Sequence, residues 1–244
     1  MNARLQNTQP EPYVLDEQQA IGQIAVQLPG ATAIFRRHKL DFCCGGQVSL
    51  AQAASEKGLD AVALMRELAA IQRTDAPLEY DSASTLIDHI LQRYHAVHRT
   101  QLPELIRMAR RVEAVHRDHP LVPAGLTALL EAAEQDLLDH MMKEENILFP
   151  ILKAGGSPFV SSPIGVMRAE HTQHGAMLEQ LMALSDNASP PQGACNTWRA
   201  LYAGIAQLHD DLINHIHLEN NVLFNQFDAP TSKPTKSACC GSCG

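Results

Sequence analysis

Two stretches decide the fold: HMMKEENILFP (His140–Pro150) and HIHLENNVLFN (His215–Asn225). Each reads His-x-x-x-Glu, then Asn two residues on, then an aliphatic residue, Leu and Phe. The copies start 75 positions apart, so the phrase is an internal repeat. A His and a Glu four residues apart lie about one turn apart on one face of an α-helix and can aim at a common point. The repeat extends upstream. His95-x-x-His98 precedes the first copy, with 45 positions from His95 to His140. His171-x-x-His174 precedes the second, with 44 positions from His171 to His215. Two such helix pairs packed about a pseudo-two-fold axis converge four imidazoles and two carboxylates, Glu144 and Glu219.

That set suits two metal ions. If both carboxylates bridge and the imidazoles divide evenly, each metal has two nitrogen and two oxygen ligands. A bridging oxide or hydroxide adds a fifth and leaves a position for a small ligand. Mixed imidazole and carboxylate ligation suits iron, with manganese and zinc as alternatives. A single His-x-x-x-Glu is ordinarily a solvated pair worth about 0.3 kcal/mol. Duplication in matching contexts is what points to metal. A ferritin-like centre needs two Glu-x-x-His motifs, and only Glu113-x-x-His116 is present.

Around these motifs the chain reads as all-α. Residues 1–12 are a polar lead-in, expected to be disordered. Residues 13–75 form a small helical N-terminal domain of four short helices: IGQIAVQL, ATAIFRRHKL, SLAQAASEKG with Ser49 as N-cap, and DAVALMRELAAIQ with Asp60 as N-cap. Residues 80–228 carry four long amphipathic segments, near 84–116, 125–155, 162–187 and 197–228, separated by short breakers. Short links between long helices make an antiparallel four-helix bundle. Pro103 is expected to kink the first long helix or mark an irregularity in it. Residues 229–244 form a Cys-rich tail.

Composition narrows the function. Hydrophobic residues make up 45% of the 244 and aromatics only 5%, which favours helices. A net charge of -8 without a basic run argues against nucleic acid or an anionic membrane surface as partner. No apolar run approaches a membrane span, and MNARLQNTQPEPYVLDEQQ has no signal-peptide core, so the expected location is cytoplasmic. The six Cys are then thiols or metal ligands rather than structural disulfides.

FRRHKLDFCCGG, followed by RYHAVHRTQLPEL, HMMKEENILFP and HIHLENNVLF, resembles the repair-of-iron-centres family. These are bacterial di-iron proteins with a haemerythrin-like bundle, induced by nitric oxide and oxidative stress. The resemblance covers residues from about 14 to 228. It implies the ligands His95, His140, Glu144, His171, His215 and Glu219, and two iron ions per chain with oxo or hydroxo and carboxylate bridges. It implies repair of damaged iron–sulfur proteins, by iron donation or nitric oxide removal, rather than conventional enzyme activity, and allows a homodimer. The tail resembles extended versions from denitrifying bacteria, for which nitric oxide binding is proposed. Two other functions stay open: a nitric oxide sink or reductase, and a haemerythrin-like oxygen carrier or sensor. The DFCCGG unit argues against the carrier.

The remaining residues carry weaker expectations. His98 and His174 repeat symmetrically, so the sequence leaves them open as ligands; the family resemblance favours His95 and His171, which makes His98 and His174 hydrogen-bonding neighbours of the site or simply surface residues. His217, two positions from His215, points away from the site and is expected to be exposed. Glu170 could shape local charge or line a channel, a solvated Glu being the simpler reading. Cys43 and Cys44 suggest thiol chemistry or soft-metal contact, against a tight turn with one buried Cys. Cys239, Cys240 and Cys243 could capture a soft metal or cycle as thiols. Cys195 reads as packing.

Overall fold

The structure, a computed structural model, describes residues 14–71 and 80–228. The 1–12 lead-in and the tail with Cys239, Cys240 and Cys243 lie outside the described residues. Apart from one antiparallel bridge between Ala20 and Ser49, the regular elements described are helical.

The N-terminal unit comprises α1 (Ile21–Gln27), α2 (Ala31–Arg37), α3 (Leu50–Glu56) and α4 (Ala61–Ala69). Ser49 and Asp60 cap α3 and α4, accepting from the backbone N–H of Gln52 and Val62 at 3.2 and 2.9 Å. These helices are too short to be stable alone. They survive by packing Ile21, Ile24, Phe35, Phe42, Leu50 and Leu68 into one core.

The first bundle helix runs as α5 (Ala83–Ile90), a π turn (Leu91–His95) and α6 (Ala96–Val115). It continues through Pro103, and its irregularity is the π turn upstream. The second runs as α7 (Leu126–Lys143), a π turn (Glu144–Leu148) and α8 (Phe149–Lys153). The third is α9 (Ser161–Leu184), without interruption. The fourth is α10 (Asn196–His217), followed by a π turn (Leu218–Leu223) and a short 3₁₀ turn (Phe224–Gln226). Helix α6 packs on α7 and α10, and α9 packs on both α7 and α10, which closes the ring.

The π turns fall on His95, Glu144 and Glu219. Such turns add one residue to a helical turn and are frequent at functional sites. Here the extra residue shifts the phase after each Glu. Leu148 and Phe149 fall inside, as do Leu223 and Phe224, while Ile147 is turned out to solvent. All four inward residues join the apolar cluster at one end of the bundle. A larger cluster around Leu105, Leu130, Trp198 and Tyr202 fills the other end. Between the two lies a layer of His and Glu.

The N-terminal unit sits on the fourth helix at its π turn. Asn221 Nδ2 donates to the carbonyl oxygens of Phe42 and Cys43 at 3.2 and 3.3 Å. Arg36 donates to Asn214 at 3.1 Å. Phe42 meets the His217 ring edge-on at 5.2 Å. His217 is therefore buried, correcting the expectation of exposure. It does point away from the His/Glu layer, but Phe42 covers the face it points to. Burial holds it neutral, at about 4.

The docking needs two glycines. A Cβ on Gly46 would stand 2.5 Å from Phe42 O and 2.9 Å from Asn221 Oδ1, and one on Gly22 2.5 Å from Asn221 Oδ1. Gly46→Ala should cost about 1–3 kcal/mol and lift the loop from the helix. Thermal unfolding and the labelling rate of Cys43 by a thiol reagent check this. An unchanged melting temperature with unchanged labelling would show that the loop absorbs a methyl group.

Candidate metal centre

Six side chains meet in the central layer: His95, His140, Glu144, His171, His215 and Glu219, each no more than 1% exposed. They divide into two pockets that share both carboxylates. One is His95, His215, Glu144 and Glu219; the other is His140, His171, Glu144 and Glu219. In each, one potential ligand atom per residue lies within 4.8 Å of the others. Glu144 turns Oε2 to His95 Nε2 and Oε1 to His140 Nε2, both at 3.4 Å. Glu219 turns Oε1 to His215 Nε2 and Oε2 to His171 Nε2, both at 3.0 Å. One oxygen of each carboxylate thus faces each imidazole pair.

Two acidic side chains and one amide orient three of the rings. His95 Nδ1 donates to Glu145 Oε1 at 2.7 Å, and His140 Nδ1 to Glu170 Oε2 at 2.7 Å. His171 Nδ1 donates to the buried Asn220 Oδ1 at 2.9 Å. A ring that donates through Nδ1 presents a bare Nε2 lone pair, as metal ligands do. His171 and His140 bring their Nε2 atoms to 3.1 Å, and His95 and His215 to 3.2 Å. Two lone pairs at that distance repel unless a proton or a cation lies between them. Both oxygens of Glu144, and Oε2 of Glu219, are buried without a hydrogen-bond donor among the described residues. Buried carboxylates without donors are costly. A cation in each pocket satisfies both groups, so the residues fit two metal ions.

The pseudo-symmetry is broken around His215. Glu145 and Asn220 each follow a site glutamate and each serve a ring on the preceding odd-numbered bundle helix. Glu170 precedes His171 and serves His140. Its counterpart preceding His95 is Tyr94, which cannot take that role. Tyr94 instead stacks on His215, with centroids 5.2 Å apart and planes 3° apart, and His215 Nδ1 has no partner among the described residues. Glu170 is more than the solvated side chain expected: it also accepts from Lys143 Nζ at 2.5 Å.

Electrostatics follow from burial against charge. Burial pushes His95 down, but Glu144 and Glu219 outweigh it and hold it up at about 10. His140 is likewise held up at about 9, chiefly by Glu144. Glu144 is lowered, the neighbouring imidazoles prevailing over burial and over Glu219. Glu219 is lowered well below the carboxylate range, chiefly by His215. His98 and His174 are buried, correcting the surface alternative. Burial pushes them down to about 2 and about 3, so both are neutral.

The DFCCGG loop reaches this layer through Asn220, whose Nδ2 donates to Cys43 O at 3.0 Å. Cys43 is buried, and Cys44 is half-buried. Cys43 Sγ donates to Asp41 Oδ1 at 3.3 Å and lies 3.8 Å from Cys44 Sγ. The Cys44 contact, burial and the Asp41 carboxylate push the Cys43 thiol well above its ordinary range. Asp41, Cys43 and Cys44 form a third cluster with ligand atoms in mutual reach. It opens on a groove lined by Gln23, Gln27, Cys44, Gln47, Arg168 and Thr172. Sequence reasoning passed over Asp41, Glu145 and Asn220. The polar residue that follows each site glutamate was the available signal for the last two. Cys195 lies beside His116, Nε2 to Sγ 3.2 Å, at the far end of the bundle. Glu113 pairs with Thr127, outside the layer.

Residues 86–227 match the haemerythrin HHE cation binding domain, and residues 17–72 match ScdA_N, a domain of unknown function. The chain is 49% identical over 210 residues to the iron-sulfur cluster repair protein YtfE of Escherichia coli O157:H7, covering 84% of this chain and 94% of that protein. It is 48% identical over 208 residues to the protein of that name from Cronobacter sakazakii, covering 84% and 94%. It is 48% identical over 209 residues to the one from Yersinia pseudotuberculosis serotype O:1b, covering 84% and 95%. Among the described residues no helix is long and apolar enough to cross a membrane.

Metal binding should release protons. His95 and His140 are held above 7 by the carboxylates in the metal-free chain. There, the stability from their raised pKa is complete below the unfolded value of about 6.5 and fades as pH rises through 9 to 10. Each metal must displace the proton of the raised imidazole in its own pocket, His95 in one and His140 in the other. Affinity for each metal should therefore climb about tenfold per pH unit towards pH 9 and flatten above 10. Competition titrations with a chelator across pH check the slope. A slope of zero between pH 7 and 8.5 would show that these imidazoles carry no proton there.

Proposed function

The chain belongs to the iron–sulfur cluster repair family, whose bundle is a haemerythrin HHE cation-binding domain, and on that premise we propose that it restores clusters damaged by nitrosative and oxidative stress. In this reading two irons occupy the two pockets. His95 and His215 hold one, His140 and His171 hold the other, and Glu144 and Glu219 bridge both. The observation that carries it is the pair of buried carboxylates with one oxygen turned to each imidazole pair. Iron is at once the resident metal and the cargo. Bound there, it offers redox chemistry and affinity for nitric oxide.

The chain's own residues do the rest. Glu145, Glu170 and Asn220 hold the protons of His95, His140 and His171 on Nδ1, so that their Nε2 atoms stay free to ligate. Burial of the layer excludes water. Delivery of iron, rather than nitric oxide uptake alone, is favoured by the loop contact. The Asn220 side chain touches His171 on one side and Cys43 on the other, so one amide separates the His140/His171 pocket from the thiol loop and its groove. Asp41 and Cys44 give that groove oxygen and sulfur groups able to receive a metal ion. An oxygen carrier has no use for such a loop.

The test uses an iron–sulfur enzyme inactivated by nitric oxide and then stripped of free gas. Adding the iron-loaded protein should restore activity, and a His140→Ala/Glu144→Ala variant should not. Because no free gas remains, recovery reports repair of the cluster itself. Absence of recovery, together with tight nitric oxide binding by the same preparation, would replace this reading with a nitric oxide sink.

A further inference from the structure

The His/Glu layer has two unlike faces. On one side Phe149 stacks on His95 with centroids 5.6 Å apart, and Phe224 on His171 at 6.0 Å. Both belong to the apolar cluster at that end. On the other side stand His98 and His174, each about one turn beyond a site histidine. The His98 ring lies 5.4 Å from His215, and the His174 ring 4.8 Å from His140. Each pocket therefore has one extra imidazole against it, on the same side of the layer.

These rings are unsatisfied. His98 is fully buried, and neither of its ring nitrogens has a partner among the described residues. His174 is 5% exposed, and its Nδ1 has none. Packing alone does not call for imidazole here. Four residues further along the same helices stand Leu102 and Leu178, which fill the core without polar atoms. Buried polar groups are ordinarily hydrogen-bonded, so two orphaned rings at equivalent positions call for a partner that the described residues do not supply.

We propose that His98 and His174 are hydrogen-bonding groups for a small exogenous ligand, one beside each pocket, of the diatomic or hydroxide class. The inference rests on the metal reading above. A neutral imidazole offers one N–H donor and one bare nitrogen. The Phe149/Phe224 face offers neither, so a ligand carrying lone pairs is stabilised only on the imidazole side. His98 and His174 act as positioning residues: they set how firmly and in which orientation such a ligand sits.

The experiment uses the full-length iron-loaded protein with nitric oxide as probe. It compares wild type with the double variants His98→Phe/His174→Phe and His98→Gln/His174→Gln. Iron content, nitric oxide affinity and the N–O stretching frequency in H₂O and D₂O are measured. The Phe variant should keep its iron and hold nitric oxide about tenfold more weakly per imidazole removed. Its N–O stretch should lose the D₂O sensitivity of the wild type. The Gln variant, which retains a donor, should recover that sensitivity. Wild-type affinity and an unmoved stretch in the Phe variant would overturn the proposal. Loss of iron from it would overturn it too, because the rings would then be ligands or supports of the metal layer. A wild type that binds iron but no nitric oxide would defeat the nitric oxide reading itself, a result distinct from binding that ignores these two residues.

Discussion

Two carboxylates buried at the centre of a four-helix bundle set the terms for everything around them. Glu144 and Glu219 are fully buried, and three of their four oxygens accept no hydrogen bond among the described residues. Such groups persist in an interior only when positive charge stands next to them. Four imidazoles stand around them, and together these groups could hold metal ions that deliver that charge. The bundle then grows outward from this layer: apolar clusters on both ends, acids and an amide behind the rings, and a second unit docked on the fourth helix.

The π turns are the backbone's answer to the same constraint. A regular helix after Glu144 would bring Ile147 inward with Leu148. The extra residue turns Ile147 out and brings Phe149 in with Leu148. The equivalent turn after Glu219 does the same for Leu223 and Phe224. Three of the four bundle helices bear a π turn at a site residue, and only the third, among the described residues, runs straight through its histidine. The cost of weaker helical hydrogen bonding is offset by aiming six side chains at two points.

The break in symmetry gives the site direction. Three rings have a hydrogen-bonded partner behind them, and the fourth is stacked on Tyr94. Only His171 is backed by a neutral amide, and that amide, like its neighbour Asn221, donates to the thiol loop. The side of the layer nearest the loop is thus held by hydrogen bonds to the N-terminal unit, and the opposite side by aromatic stacking within the bundle. Removing the N-terminal unit would expose Asn220 and His217 and loosen the backing of His171.

Periodicity and repetition in the chain alone determined the helices, the order of the four long segments, the caps at Ser49 and Asp60, and the convergence of His140, Glu144, His215 and Glu219 with one histidine of each upstream pair; the choice of His95 and His171 over His98 and His174 rested on the family resemblance. The reason is that a helix of known period converts spacing directly into facing. Spacing does not say what covers a face, so tertiary structure decided the rest. His217 does point away from the layer, yet Phe42, distant in sequence, buries it. His98 and His174 share a face with ligands, but their burial depends on the ring of helices closing over them. Glu145, Glu170 and Asn220 acquire their roles from rings on other helices, 30 to 50 positions away in the chain. Asp41 joins the two cysteines because the DFCCGG turn folds back on itself. Local physics writes the elements; contacts between distant segments choose which polar atoms are buried, and so where the chemistry lies.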